Sequence, residues 1–328
     1  VWMMRQAGRF LPHYREIRRG VDFLTLCKTP ELAAEVTLQP VDALGVDAAI
    51  LFADILLPLE AMGAELAFAK GDGPQFSHPV RRREDIASLE RIEVEEKLGY
   101  VFETVRLLRK ALVDKVPLIG FGGTPWTLAA YLVEGGGSRH FEHLLSWSVA
   151  DPAGLSELLS RIAEVSADYL AAQVEAGAQA IQVFDTWGGL LDAERWRRLA
   201  LPALLQALEP LQGRVPLIYY VNGGSHLLSE LASLPVAVLS VDWRVPLNVV
   251  RRQVGPDKVL QGNLDPTTLL APIETIRREV ERLLAEGAGG GHIVNLGHGI
   301  LPVTPVENAS AFVRAAQAPL PADAGRSS

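Results

Sequence analysis

Residues 155–185 read LSELLSRIAEVSADYLAAQVEAGAQAIQVFD and contain a predicted helix followed by a predicted strand. The apolar residues of Leu155–Glu175 recur at helical spacing, which predicts an amphipathic helix. Ala180–Phe184 is mainly hydrophobic without strict alternation, which is typical of a parallel strand covered on both faces. Asp185 follows this strand directly. The same helix-then-strand unit can be sought along the rest of the chain.

The unit recurs from one end of the chain to the other. Short apolar or β-branched runs alternate with amphipathic stretches such as Ile273–Glu286. Regular βα alternation predicts either a doubly wound sheet or a closed barrel, and about eight units without a break in composition favour the barrel. We therefore predict an α/β fold, a single (β/α)8 TIM barrel over residues 1–318, with a flexible tail at 319–328. The predicted strands are Val1–Arg5, Asp47–Phe52, Pro117–Phe121, Ala180–Phe184, Pro216–Val221, Val236–Val241, Lys258–Gln261 and His292–Asn295.

The composition restricts the classes of function. The chain has 328 residues, 48% hydrophobic and 21% charged, and a formal net charge of −8. These values suit a globular protein with a large core, whereas a general nucleic-acid binder would be basic. No apolar run has the length of a membrane span, and the single cysteine, Cys27, permits no internal disulfide. We expect a cytoplasmic protein that binds neither nucleic acid nor membrane, with a short segment preceding Val1 because the chain starts inside a predicted strand.

Polar side chains follow most of the predicted strands. Barrel active sites are built from the loops at the C-terminal ends of the strands, so we expect the active site there. The residues at these strand ends are Arg5 and Gln6, Asp54, Gly122 and Gly123, Asp185 and Thr186, Asn222, Asp242, Asn263 and Asp265, and Asn295 followed by His298.

Two arginines, Arg5 and Arg9, flank a glycine directly after the first predicted strand. Arginine binds carboxylates in a bidentate manner, and unpaired cations at a strand end are costly, which favours an anion-binding site. The alternative is a solvated, ion-paired surface, and we favour that alternative for Arg15 and Arg19.

The roles of single polar residues are less sharply defined. Asp54 suits a helix N-cap and a catalytic carboxylate equally well. His298 lies between two glycines that permit close approach of a ligand. Residues 134–138 predict a mobile loop over the barrel mouth, with a plain turn as the alternative. No metal site is predicted, since the spacing of His140 and His143 is too short for a zinc-protease motif.

Residue types alone indicate a barrel enzyme that acts on a polyanionic small molecule. The strand-end acids Asp54, Asp185, Asp242 and Asp265 would also suit a glycosidase with paired carboxylates, although the two arginines fit that chemistry poorly. The residue types alone do not determine which reaction the enzyme catalyses.

A resemblance to a known family narrows the choice. The segment VWMMRQAGRFLP at residues 1–12 closely resembles the N-terminal signature of the uroporphyrinogen decarboxylase family. The similarity continues through five further segments that span nearly the whole chain, and their combination is far more specific than any one of them. These segments are Phe52–Leu56, Gly120–Thr127, Tyr131–Ser138, Gln261–Pro266 and Asn295–Gly299.

The resemblance implies a cofactor-free, homodimeric barrel enzyme that removes carbon dioxide from the four acetate arms of uroporphyrinogen. Thr186 stands where some members carry serine, which keeps the hydroxyl, whereas many members carry lysine at Asn222, to which we assign no role. The essential aspartate of the family corresponds to Asp54, and its substrate-binding residues to Arg5, Gln6, Ala7, Gly8, Arg9, Tyr131, Thr186 and His298.

Two other functions remain as alternatives. Zinc- or cobamide-dependent methyltransferases resemble this barrel, but their zinc needs cysteine and histidine ligands that Cys27 alone does not readily supply. A non-catalytic tetrapyrrole-binding protein would bind the porphyrinogen without releasing carbon dioxide.

Overall fold

The structure is a computed structural model that describes residues 1–68 and 73–318. The predicted tail at 319–328 lies outside these residues. The described strands are β1 Ala49–Ile50, β2 Leu66–Phe68, β3 Pro74–Phe76, β4 Leu118–Gly123, β5 Ala180–Asp185, β6 Leu217–Val221, β7 Val238–Val241, β8 Val259–Leu264 and β9 His292–Leu296. The helices are α1 Pro12–Gly20, α2 Phe23–Lys28, α3 Pro30–Leu44, α4 Leu57–Ala61, α5 Val94–Ala111, α6 Pro125–Glu134, α7 Glu142–Ala150, α8 Pro152–Ala176, α9 Ala193–Arg195, α10 Leu201–Leu208, α11 Leu228–Leu231, α12 Leu247–Val254, α13 Ile273–Gly287 and α14 Val306–Gln317.

Seven of the described strands form one parallel sheet in the order β1-β4-β5-β6-β7-β8-β9. Helices separate successive strands of this sheet along the chain. The residues of β4 and β6 are all buried, which explains why their sequences lack polar alternation. The predicted α/β class is confirmed, and every predicted strand from Asp47 onward overlaps an observed strand of this sheet.

The amino-terminal segment, Val1–Met4, lies between the two edge strands of the sheet. The N–H of Trp2 donates to the carbonyl of Val294 in β9 at 3.3 Å. On the other side, the N–H of Asp47, just before β1, donates to the carbonyl of Val1 at 2.8 Å. The segment therefore contacts both edges of the sheet.

The prediction of a regular first strand at Val1–Arg5 is wrong. The N–H of Met4 donates to the side chain of Asn295 at 2.9 Å instead of to a neighbouring backbone. Arg5 has φ 63°, which is in the left-handed region. A strand needs extended dihedrals and successive backbone hydrogen bonds. Met4 interrupts the backbone hydrogen bonds and Arg5 interrupts the extended dihedrals, so a regular strand does not extend over the whole segment.

An antiparallel hairpin of β2 and β3 was not predicted. Each strand has three residues, and β3 begins with Pro74, so the apolar pattern is too short to be recognised. The hairpin packs on the end of α6, where the N–H of Phe76 donates to the carbonyl of Gly135 at 2.9 Å. Gln75 also forms a β-bridge with Gly136.

The predicted helices at Leu155–Glu175 and Ile273–Glu286 correspond to α8 and α13, which extend them by one to three residues at an end. The buried apolar side chains of the sheet and its helices form one hydrophobic core. Among the described residues, no helix is both long enough and apolar enough to cross a bilayer.

The core contains a polar network beneath the strand ends. The indole N–H of Trp2 donates to the side chain of Gln261 at 3.0 Å. Gln261 in turn donates to Gln182 and to Ser240, each at 2.9 Å. These contacts join the amino-terminal segment to β5, β7 and β8 and thereby fix the position of the residues that follow it.

Candidate active site

The residues singled out by the sequence lie after strands that run in the same direction. Because the carboxyl ends of parallel strands meet at one edge of a sheet, these residues share that edge. Arg5 follows the amino-terminal segment, Asp54 follows β1, Tyr131 lies on α6 after β4, Thr186 follows β5, and His298 follows β9.

Asp54 is a half-buried carboxylate that holds a turn. Its Oδ1 accepts the N–H of Leu56 at 2.8 Å, and its Oδ2 has no hydrogen-bond partner within residues 1–68 and 73–318. Leu56, not Asp54, occupies the N-cap position of α4, so the aspartate precedes the helix. Burial raises the pKa of Asp54 to about 6, and the Leu56 N–H and the charge of Arg5 oppose this increase. One carboxylate oxygen is therefore available to a ligand.

Arg5 lies among the other candidate residues. Its side chain packs on Gly299, where an added Cβ would collide with it. The charge of Arg5 acts on Asp54, Tyr131 and His298, and it lowers the pKa of each. Arg5 is exposed and forms no ion pair with an acidic residue in the described part of the chain. The guanidinium is thus a cation without an acidic partner in the described residues, beside the half-buried carboxylate of Asp54.

The backbone that follows Arg5 also offers hydrogen-bond donors. The N–H groups of Ala7 and Gly8 donate to no acceptor in the described ranges. A Cβ at position 8 would lie 2.9 Å from the carbonyl oxygen of Arg5, so only glycine fits here without a shift of the chain. Arg9 is exposed, and its charge acts on Tyr14 rather than on Asp54 or His298. The structure therefore brings Arg5, but not Arg9, into the central group.

Gln6 has a structural contact at each end of its side chain. Its carbonyl oxygen accepts the N–H of Met3, and its amide donates to the carbonyl of Ala48, both at 3.0 Å. The side chain is 1% exposed. Gln6 ties the amino-terminal segment to the start of β1 and so positions its neighbour Arg5.

Tyr131 lies in an aromatic cluster. Its ring contacts Trp187 edge-on with centroids 5.9 Å apart, and Trp187 in turn packs against Phe141 at 4.5 Å. Burial raises the pKa of Tyr131, so the hydroxyl keeps its proton and can donate a hydrogen bond. The half-buried Thr186 precedes this tryptophan, and its hydroxyl has no partner among the described residues.

His298 is held as a neutral imidazole. Its Nδ1 accepts the N–H of Gly299 at 2.6 Å, which leaves the proton on Nε2. Burial, with the charges of Arg5 and Arg244, lowers its pKa to about 4. The ring lies 6.1 Å from that of Tyr220 and 6.4 Å from that of Trp243, measured between centroids. At neutral pH, His298 is a hydrogen-bond donor rather than an acid.

Both carboxylate oxygens of Asp185 accept hydrogen bonds from other side chains of the protein. The carboxylate is 1% exposed and accepts hydroxyl groups of Thr124 at 2.8 Å, Thr127 at 2.9 Å and Tyr219 at 2.5 Å. Burial raises its pKa, and these donors oppose the increase. The network joins β5, β6 and α6, and it thereby fixes the turn that carries Thr186.

We expect Asp185→Ala to lower the free energy of unfolding by about 3 kcal/mol, because it leaves buried hydroxyl groups without an acceptor. Urea denaturation followed by tryptophan fluorescence measures this change. Asp257→Ala, which removes an exposed carboxylate, serves as the control and should shift stability by less than about 0.5 kcal/mol. Equal stability of the two variants would contradict the structural role of Asp185.

Asp242 is also bound within the protein. Its carboxylate accepts the N–H of Gly223, the N–H of Arg244 at 2.9 Å and the Arg244 guanidinium at 2.8 Å. Asp265 accepts the N–H of Thr267 at 2.9 Å. Asp185 and Asp242 therefore have partners on both carboxylate oxygens, whereas Asp54 and Asp265 each keep one oxygen without a partner in the described residues. Of these two, Asp54 has a pKa that is raised by burial.

The sequence reasoning did not single out Arg244. Its guanidinium donates to Asn222 at 3.1 Å and lies 4.5 Å from the centroid of the Trp243 ring. The sequence feature that could have indicated Arg244 was its position directly after Asp242 and Trp243 at a predicted strand end. Arginine in a charged run is commonly a surface residue, so the sequence did not distinguish it from others.

The predicted loop at 134–138 begins at the end of α6. Gly135 ends the helix with φ 84°, a left-handed conformation that favours glycine. The Ser138 hydroxyl then accepts the N–H of Phe141 at 2.9 Å, and Glu134 accepts the N–H of Leu144 at 2.9 Å. The loop thus has several attachments to α7 and to the hairpin, and its mobility stays a prediction.

No group of three or more metal-ligating side chains converges within the described residues. Cys27 is buried at 1% exposure, and burial raises the pKa of its thiol. A thiol that holds its proton is a poor zinc ligand. The residues present therefore do not fit the zinc centre that the methyltransferase alternative requires.

Comparisons with known proteins agree with the N-terminal signature. The family model for uroporphyrinogen decarboxylase (URO-D) matches residues 1–319. The chain is 52% identical over 315 residues to the uroporphyrinogen decarboxylase of Syntrophotalea carbinolica, which covers 95% of this chain and 91% of that protein. It is 49% identical over 311 residues to the uroporphyrinogen decarboxylase of Geotalea uraniireducens, which covers 94% of this chain and 91% of that protein.

Among solved structures, a methyltransferase from Methanosarcina mazei matches with a TM-score of 0.79 and 23% identity, over 92% of this chain and 89% of that chain. A B12-independent methionine synthase from a Shewanella species matches with a TM-score of 0.60 and 12% identity, over 87% of this chain and 86% of that chain. Identities this low establish a shared fold and do not transfer methyltransferase chemistry.

Proposed function

Because this chain belongs to the uroporphyrinogen decarboxylase family, we propose that it removes carbon dioxide from the four acetate arms of uroporphyrinogen III, giving coproporphyrinogen III in tetrapyrrole biosynthesis. It is accordingly a carboxy-lyase. The observation in the site that best supports this proposal is the half-buried carboxylate of Asp54 beside the unpaired guanidinium of Arg5.

Decarboxylation of an acetate arm requires an acceptor for the electron pair of the broken carbon–carbon bond. Many enzymes bind a cofactor for this purpose, but the pyrrole ring can accept the pair itself. Protonation of a ring carbon gives a cationic iminium. Loss of carbon dioxide then neutralises the ring as an exocyclic methylene forms. Protonation of the methylene carbon yields the methyl group, and loss of the proton that was added to the ring carbon restores the pyrrole. We therefore propose a reaction in which the protein stabilises positive charge and supplies no cofactor.

Asp54 has the right charge and setting for this task. Its Oδ2 can accept hydrogen bonds from the pyrrole N–H groups, whose charge increases as the ring is protonated. The low polarity that raises its pKa also strengthens its attraction to a nearby cation. Since Oδ1 is fixed by the N–H of Leu56, the carboxylate needs little reorganisation when the charge develops.

We assign Arg5 and the N–H groups of Ala7 and Gly8 to the carboxylates of the spectator arms. Arg9 lies outside the central group and stays a predicted binding residue for the same carboxylates. A cation on the departing carboxylate would stabilise the ground state most and would slow the reaction. On the other arms the same cation binds substrate without this penalty. Gln6 acts here by holding the segment, as its two hydrogen bonds indicate.

The neutral donors complete the proposed site. Tyr131 keeps its phenolic proton, and His298 presents an N–H on Nε2. The hydroxyl of Thr186 can donate or accept. We propose that these groups contact polar atoms of the substrate, while the partly exposed ring of Trp187 packs against its apolar edges.

The raised pKa of Asp54 predicts how activity depends on pH. We expect kcat/KM to fall as the pH drops through about 6, because protonation removes the negative charge. For stability the sign is opposite: a carboxyl whose folded pKa exceeds its unfolded value stabilises the folded state more as the pH falls from 6 towards 4. Initial rates between pH 5 and 8, with tryptophan fluorescence as a control for unfolding, measure the effect. A flat profile across this range would contradict the assignment.

The direct test of the function is anaerobic incubation of the protein with uroporphyrinogen III, followed by oxidation and chromatography of the porphyrins. We expect coproporphyrin to accumulate, with partially decarboxylated species before it. Binding of the porphyrinogen without release of carbon dioxide would favour the carrier alternative.

We further propose that the sheet closes into a (β/α)8 barrel, with Val1–Met4 in the place of the missing strand. The hydrogen bonds of this segment to β9 and to Asp47 support closure. Slow hydrogen exchange of the Trp2 and Asp47 amides would be expected in a closed barrel. The single domain at 1–318, the homodimer and the cytoplasmic location that the family implies also remain proposals, and light scattering tests the dimer.

A further inference from the structure

A third guanidinium lies at the same edge of the sheet as Arg5. Arg244 follows β7, and its side chain is 49% exposed. Its Nη1 donates to Oδ2 of Asp242 at 2.8 Å and to Oδ1 of Asn222 at 3.1 Å. Two neighbouring strand ends, those of β6 and β7, therefore hold one nitrogen of this guanidinium.

The other two nitrogens of the Arg244 guanidinium are held in place but form no hydrogen bond in the described residues. Its Nε and Nη2 donate to no acceptor within residues 1–68 and 73–318. Its Cζ lies over the ring of Trp243, 4.5 Å from the centroid. A guanidinium that is stacked and fixed at one nitrogen loses little freedom when a carboxylate binds to its open side.

The surroundings of Arg244 place it beside the proposed substrate site. Its charge acts on His298 and on Tyr220, and the charge of Arg5 also acts on both of these groups. The ring of Trp243, on which it stacks, lies 6.4 Å from the ring of His298. Arg5 and Arg244 thus act on the same histidine from different strand ends.

Two ion-paired arginines elsewhere in the chain use more of their guanidinium nitrogens. Arg197 donates from Nε and from Nη2 to Glu230, and Arg282 donates to Glu279 and Glu286. Arg244 keeps two nitrogens without a partner in the described part of the chain, although Asp242 is next to it.

Asp242 does not depend on Arg244 alone. Its carboxylate also accepts two backbone N–H groups, those of Gly223 and Arg244. Neutralising the charge of Asp242 therefore does not fully explain why an arginine side chain stands at position 244.

We propose that Arg244 is a further substrate-binding residue, which donates from Nε and Nη2 to a carboxylate on a spectator arm of the tetrapyrrole. Asp242 and Asn222 act as its positioning residues. This inference rests on the proposed function, because it takes the polycarboxylate substrate as given. The proposal adds a second group that binds substrate carboxylates, at the ends of β6 and β7, to the one that we assign to Arg5.

The test is the variant Arg244→Gln, assayed under anaerobic conditions with uroporphyrinogen III. We expect KM to increase about tenfold while kcat changes less than about twofold, because a partly exposed charge-assisted contact to a spectator arm is lost. Arg282→Gln is the matched control, since that ion-paired arginine is 50% exposed on α13, and its KM should stay at the wild-type value. The midpoint of thermal unfolding is measured for both variants.

An unchanged KM in Arg244→Gln would overturn the proposal, and so would a loss of activity that only follows a lowered unfolding midpoint. If the glutamine variant does not fold, Arg244→Lys takes its place. Lysine keeps the positive charge beside Asp242 but lacks the paired N–H groups with which a guanidinium binds both oxygens of a carboxylate. A raised KM in the lysine variant supports the proposal, and a wild-type KM overturns it.

The same experiment separates this inference from the proposed function. A wild-type protein that does not decarboxylate uroporphyrinogen contradicts the function itself. Titration of tryptophan fluorescence with uroporphyrinogen then decides the role of Arg244. An increase of about tenfold in Kd for Arg244→Gln supports binding by this residue, and an unchanged Kd contradicts it.

Discussion

Asp54→Asn should fold normally and lose turnover by a factor on the order of 10² or more. The amide has nearly the same shape as the carboxylate, and its oxygen can still accept the N–H of Leu56, so the turn before α4 is retained. The variant lacks the negative charge that we propose as the partner of the protonated pyrrole. Initial rates of carbon dioxide release at saturating substrate measure kcat, and circular dichroism checks the fold.

The chain offers a closely matched control for this experiment. Asp265 holds the same kind of turn, since its Oδ1 accepts the N–H of Thr267 at 2.9 Å, two residues onward. Asp265→Asn should therefore keep near-normal kcat. Near-normal kcat in Asp54→Asn would leave Asp54 with only the role of holding the turn, and an equal loss in both variants would assign the effect to the turns.

Arg5→Ala should raise KM by about 10- to 100-fold, with a smaller effect on kcat, because it removes one or two charge-assisted hydrogen bonds to a spectator carboxylate. The residue forms no ion pair in the described part of the chain, so its removal leaves no buried acid without a partner. Its left-handed φ of 63° is no obstacle to this substitution, because arginine and alanine both carry a Cβ and meet the same backbone strain. Unfolding midpoints should accompany the kinetics.

A matched control tests whether any exposed arginine has this effect. Arg106 is 47% exposed on α5 and pairs with Glu103, so Arg106→Ala should leave KM unchanged. An unchanged KM in Arg5→Ala would contradict its assignment as a substrate anchor. A second consequence follows for Asp54, whose pKa Arg5 lowers: the acid limb of the pH profile should move to higher pH in Arg5→Ala.

These two variants probe different steps, because the groups meet different parts of the substrate. Asp54 faces charge that appears only as the ring is protonated, so its effect falls on kcat. Arg5 meets charge that is present before and after the reaction, so its effect falls on KM. A reversal of this pattern would exchange the proposed roles.

The fold could be predicted from the sequence to the extent that local patterns report burial. A strand covered on both faces must be apolar at successive positions, so runs such as Pro216–Val221 identified the parallel sheet. The β2–β3 hairpin was missed because three-residue strands with a proline do not form such a pattern. Val1–Arg5 was predicted as a strand because its composition resembles one, but the hydrogen bond of Met4 to the side chain of Asn295 and the left-handed conformation of Arg5 interrupt it.

The sequence by itself determined that polar residues gather at one edge of the sheet, because parallel strands place their carboxyl ends together. It did not determine which of those residues are free to act. Asp54 and Asp185 are alike in sequence, each an acid at a strand end, yet one keeps a free oxygen and the other accepts three hydroxyl groups. The partners of Asp185 come from β6 and from the start of α6, and Arg244 is held by residues that directly follow β6 and β7. Only the tertiary structure decided these roles, since a pKa and a hydrogen-bond partner depend on atoms that are distant along the chain.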